Sequence, residues 1–181
     1  MISAGRGTRL VRSLEKRGFV IIHEVNLGGR GGSVKFLELT EKGYAAIGIQ
    51  PKPTIGRGAS FEHGFWQHYI SEELKLIDGA RSIIEGKLNE KSIDILLLIG
   101  NVKMAIEIAM TDAHEKENIE KDLNGGATKI IIGCKDKQIL EGVKKIIETL
   151  DGNISKKITV CLVQKVVSEV KNYLEHRRND G

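Results

Sequence analysis

The stretch KSIDILLLIGNVKMAIEIAMT (Lys91–Thr111) decides the fold. Two apolar runs rich in Ile, Leu and Val flank a Gly-Asn pair, the pattern of two buried β-strands joined by a turn. Each run carries one acid, Asp94 at the mouth of the first and Glu107 inside the second. A charge set into AIEIAM is costly unless a cation or a metal sits on it. Thirteen positions separate the two acids, a spacing that a hairpin brings side by side.

Outward from this hairpin, the remaining segments alternate. Upstream, ARSIIEGKL reads as a third strand, preceded by a helix, FEHGFWQHYISEELKLI, that begins near Ser60 and carries an apolar stripe of Trp66, Ile70, Leu74 and Ile77. Downstream, DAHEKENIEKDLNGG reads as a polar helix with Ile119 and Leu123 inward and Gly125 as its stop. TKIIIGCK is a continuous apolar strand, as expected where both sheet faces are covered. KQILEGVKKIIETL is an amphipathic helix, KKITVCLVQ a strand and VVSEVKNYLEHRR a closing helix. Residues 60–181 therefore form an α/β domain of order αβββαβαβα.

IQPKPTIGRGAS holds both prolines, so residues 50–59 read as a linker. In residues 1–49, TRLVRSLEKRGFV is a helix with Leu10 and Leu14 on one side and Gly18 as a cap. VIIHEVNLGGRGGSVKFLELT is a hairpin with a glycine-rich tip, and TEKGYAAIG a short helix capped by Thr40. Residues 1–60 carry ten Lys/Arg against four Asp/Glu, whereas the remainder carries eighteen against twenty. A basic segment joined to a near-neutral body suggests a polyanion-binding module, with Arg9, Arg12, Lys16, Arg17 and the hairpin-tip Arg30 as the contacts.

Helix, glycine-tipped hairpin and helix, ending in FLELTEKGYAAIG, resemble the second half of a winged helix-turn-helix over roughly the first fifty residues. The resemblance implies DNA binding, with the basic helix in or along the major groove and Arg30 at the backbone or minor groove. The two helices that open such domains have only MISAGRGT to draw on, so the domain is truncated or belongs to a longer polypeptide. A small α/β cap packed on the body is the bland alternative.

The order αβββαβαβα resembles the PD-(D/E)xK, or restriction-endonuclease-like, superfamily over residues 60–181. The resemblance implies that Asp94 and Glu107 hold Mg²⁺, a hard cation suited to carboxylates. It also implies endonuclease chemistry, with a lysine to stabilise developing charge. Glu62 resembles an accessory acid of some members, and Glu85 is a second candidate. The motif lysine is replaced by Ala109, but some members draw the lysine from the following helix, where Lys116 and Lys121 lie. Three outcomes are open: a migrated lysine, a metal site without one, or a nuclease fold kept for binding. A plain salt bridge from Glu107 to Lys116 or Lys121 uses the same residues. Similar domains stand behind winged helices and P-loop ATPases, which implies a DNA-processing ATPase or an upstream polypeptide as partner; duplex-cutting relatives often pair as homodimers.

No apolar run approaches the roughly 20 residues of a membrane span, and the N-terminus lacks a secretory plan, so a cytoplasmic protein is expected. Cys134 and Cys161 sit in apolar strands without metal-ligand spacing and read as buried thiols. His63 and His68 are five apart, the wrong spacing for two ligands on one helical face. GGRGG lacks the Lys-Ser/Thr of a P-loop. Two function classes follow: a DNA-binding protein with a degenerate or active nuclease centre, or a protein-interaction module without nucleic acid.

Overall fold

The computed structural model describes residues 4–28, 32–51 and 60–179. Arg30 and residues 52–59 of the expected linker lie outside the described residues. The chain divides into two compact units, Met1–Glu62 and His63–Gly181.

The first unit runs α1 (Ala4–Lys16), β1 (Val20–Asn26), β2 (Ser33–Leu39) and α2 (Glu41–Ile47). Gly18 takes φ +73°, and the bonds Gly18 N–H to Glu15 O and Phe19 N–H to Leu14 O close α1 as a Schellman cap. The helix therefore ends one residue earlier than expected, and Arg17 stands outside it, its guanidinium 4.9 Å from the centre of the Phe19 ring. β1 and β2 pair antiparallel, Val20 opposite Leu39 and Asn26 opposite Ser33. Thr40 Oγ1 accepts from Gly43 N–H as the N-cap of α2 and donates to Gly18 O, which ties the helix to the turn. Val20 and Val25 are the buried aliphatic side chains described here, whereas Leu10, Ile21, Leu37 and Ile47 are about half exposed.

The second unit is mixed α/β. From α3 (Phe61–Lys75), whose first residues straddle the boundary, the chain continues through β3 (Ala80–Leu88), β4 (Lys91–Ile99), β5 (Val102–Ala109), α4 (Glu115–Asn124), β6 (Lys129–Cys134), α5 (Lys137–Glu148), α6 (Gly152–Ser155), β7 (Ile158–Leu162), a 3-10 turn and α7 (Val166–Asn179). The elements follow the order expected, with the single turn α6 and the 3-10 turn added. α3 stops at Lys75, which leaves Ile77 off the helix, while Trp66, Ile70 and Leu74 are buried. The five strands form one sheet in the order β3-β4-β5-β6-β7. β4 runs antiparallel to both of its neighbours, β3 and β5, and β6 and β7 run parallel to β5.

Local chemistry explains the change of direction. Asn89 and Glu90 both adopt positive φ in the two-residue turn between β3 and β4, and Gly100, at φ +55°, opens the equally short turn to β5. The parallel strands instead need helical crossovers, which α4 and α5 supply. These helices cover a cluster that includes Ala105, Ala109, Ile119, Ile130, Ile132 and Val143. On the other face of β6, Gly133 lets Val166 of α7 approach. Among the described residues no helix is long and apolar enough to cross a membrane.

Candidate functional site

The sheet opens at one level. β4 and β5 pair as far as Ile95 opposite Ile106 and no further toward Asp94. On the other side, the β3–β4 ladder passes from Ile84–Ile95 to Gly86–Ile93 and skips Glu85, whose backbone turns to φ +49°. Continued in register, Asp94 would stand between Glu85 and Glu107. Like charges directly opposite one another destabilise a ladder, and the pairing breaks where three acids would form a row. Gly86 seats the kink: a Cβ there would lie 2.4 Å from Leu96 Cβ. Glu85 itself points to solvent.

Freed from the ladder, the Asp94 carboxylate collects three donors. Its Oδ2 accepts from the Ile108 N–H at 2.8 Å and lies 3.0 Å from His63 Nε2, while Oδ1 accepts from Gln67 Nε2 at 3.2 Å. His63 and Gln67 are one helical turn apart on α3, so both reach the same acid. Burial works against the Asp94 anion, but His63 and the Ile108 N–H outweigh it and hold the carboxyl below its usual range.

Glu107 is 5% exposed and receives Lys121 Nζ on Oε1 at 2.9 Å. Burial, then the neighbouring charges of Asp94 and Asp122, push its carboxyl well above the usual carboxylate range against the pull of Lys121. Burial disfavours the Lys121 ammonium, but Glu107 and the other acids overcome this and raise it. The same ammonium contacts Asn118 Oδ1 at 3.3 Å and Asp122 Oδ1 at 3.6 Å.

α4 is amphipathic in an unusual sense. Its buried face is Glu115, Ile119 and Asp122, two acids around one apolar residue. Neither Asp122 oxygen and not Glu115 Oε2 has a hydrogen-bond partner. Desolvation pushes the Glu115 carboxyl up to about 7 and that of Asp122 up to about 6. Lys116 sits on the opposite, exposed face and is not the lysine delivered to Glu107. Ala109 shares a strand face with Glu107 but packs into the apolar cluster under α4 and α5. A lysine there would enter packed core; the cation arrives from the helix above instead.

Glu62 stands in the first turn of α3, next to His63. Arg9, Arg12 and Lys16 are exposed along α1. Three residues at the site escaped the sequence reading, Gln67, Glu115 and Asp122, and His63 was weighed there only as a metal ligand with His68. The i, i+4 pair His63–Gln67 and the i, i+4, i+7 stripe Glu115–Ile119–Asp122 were the signals that could have found them.

The donor set suits a hard divalent cation in kind, since carboxylate oxygens dominate and several buried ones lack partners. Among the described residues no three His, Cys, Asp or Glu side chains stand close enough to share an ion directly. Asp94 and Glu107, the pair expected from the sequence, could hold one only with water completing most of its shell. No protein-family model matches the sequence, and no curated protein matches it either.

Proposed function

We propose that the chain is a DNA-binding protein whose second unit is a restriction-endonuclease-like domain of the PD-(D/E)xK type. In this reading it hydrolyses phosphodiesters with Lys121 in place of the strand lysine. The observation that carries the reading is the Lys121–Glu107 contact of 2.9 Å beside Asp94, at the one level where the sheet opens. The mixed sheet, three antiparallel strands followed by two parallel ones, supports the same assignment. A bound Mg²⁺ would polarise the phosphate and activate water. Asp94 and Glu107 would hold it, His63 and Gln67 would orient Asp94, and Lys121 would place positive charge beside the reacting phosphate. Arg9, Arg12 and Lys16 would grip the DNA backbone from the first unit.

Cleavage of plasmid, linear and branched DNA in Mg²⁺ or Mn²⁺ tests the reading. Glu107→Gln and Lys121→Ala should each lower the rate about a hundredfold or more, while Lys116→Ala leaves it unchanged. Equal loss in Lys116→Ala, or none in Lys121→Ala, removes the assignment. A second reading, a nuclease fold kept for binding, is favoured by the three donors that already fill the Asp94 carboxylate. It expects intact DNA binding and no cleavage under any metal.

A further inference from the structure

Asp122 is fully buried, and neither of its oxygens receives a hydrogen bond. Glu115 Oε2 is buried and unpartnered about two turns away on the same helical face. A buried carboxylate that no hydrogen bond satisfies is a costly group to keep in a helix interface, even with an ammonium 3.6 Å away. The ammonium of Lys121 is 2.9 Å from Glu107 and 3.6 Å from Asp122, so one positive charge faces two acids and matches only one of them. A doubly charged ion would match both. Direct ligation by three side chains is not on offer in this arrangement, but Mg²⁺-like ions keep several waters, and an acid in the outer shell can accept from those waters and orient them.

We propose that Lys121 is an exchangeable counter-ion: a hydrated divalent cation displaces its ammonium from Glu107, and Asp122 accepts hydrogen bonds from the water ligands of that cation. Lys121, released from Glu107, is then free to meet the substrate phosphate. The inference rests on the nuclease-type reading for the class of cation, and it adds a residue and an exchange to that site. It also explains why Asp122 faces inward. It belongs to the state with the divalent ion, and the lysine holds its place without it.

The test is Mn²⁺ binding to the full chain without DNA, followed by the electron paramagnetic resonance signal of free Mn²⁺. Wild type should bind. Asp122→Asn, nearly isosteric, should weaken binding about tenfold or more. Lys121→Met should tighten it several-fold, because a competitor has gone, and in a Glu107→Gln background the same change should have no such effect. Unaltered affinity in Asp122→Asn, unaltered or weaker affinity in Lys121→Met, or no binding by wild type overturns the proposal. Should Asp122→Asn fail to fold, Lys121→Met decides alone. Mn²⁺ binding with this pattern but no DNA cleavage removes the hydrolytic reading and keeps the exchange. Cleavage with an indifferent Asp122→Asn does the reverse.

Discussion

At the scale of single residues, position 109 shows why the cation beside Glu107 comes from a helix and not from the strand. Ala109 is 1% exposed and lies among Ile119, Cys134 and Val143, so the strand has no room to carry a lysine on that face. Ala109→Lys should therefore destabilise the second unit by about 2 kcal/mol or more, as a buried unpaired ammonium does; chemical denaturation measures this. Lys121→Met leaves Glu107 without its partner. The cost should be on the order of 2 kcal/mol at neutral pH, below the full value for a buried pair because 24% of the Lys121 side chain meets solvent. Adding Glu107→Gln should recover most of it, and a double-mutant cycle reports the coupling.

At the scale of elements, the kink in β3 and the acidic face of α4 carry separate predictions. Gly86→Ala puts a methyl against Leu96, forces β3 and β4 apart at the kink and should cost about 1–3 kcal/mol. The α4 acids, together with Glu107 on β5, contribute a pH dependence of one sign. Burial raises Glu115 to about 7 and Asp122 to about 6, so the folded protein holds their protons more tightly than the unfolded chain. Their contribution is fully present below the ordinary carboxylate range and is lost as pH rises through about 6 to 7. Without divalent metal, thermal stability should accordingly rise as pH falls from neutral to about 5, and Asp122→Asn should flatten that rise. Asp94, held low, acts in the opposite sense and costs stability only in more acidic solution.

At the scale of the whole molecule, the two units differ in how far they can stand alone. The second buries a continuous core from four elements or more. The first leaves Leu10, Ile21, Leu37 and Ile47 about half exposed and buries Val20 and Val25. Chains this short bury too little surface to be secure, so residues 1–51 expressed alone should show no cooperative unfolding transition by circular dichroism. The charge asymmetry belongs to this scale too. If the first unit grips DNA, binding should weaken linearly on a log–log plot against salt. Replacing Arg9, Arg12 and Lys16 by Gln should then lower the slope by about one for each phosphate left without its cation. An unchanged slope would remove α1 from the interface.

Much of the second unit was written in periodicity. Continuous apolar runs such as KIIIGC mark strands covered on both faces, and the Gly100-Asn101 and Asn89-Glu90 pairs mark tight turns. Local sequence also singled out Asp94 and Glu107, because an acid inside an apolar strand is a local anomaly. It narrowed the partner of Glu107 to two lysines and stopped there. Which of them reaches Glu107 depends on how α4 is rotated over the sheet, and that rotation is set by Ile119 and by close packing across the whole cluster. The helix pair His63–Gln67 meets Asp94 only because α3 and β4, distant in the chain, are adjacent in space. The break in the ladder likewise needs two hairpins in register, with three acids brought to one level. Local propensity and pattern act over a few residues and determined the elements. Charge pairing and burial act across the sheet, and only the tertiary structure decided which acids share a cation.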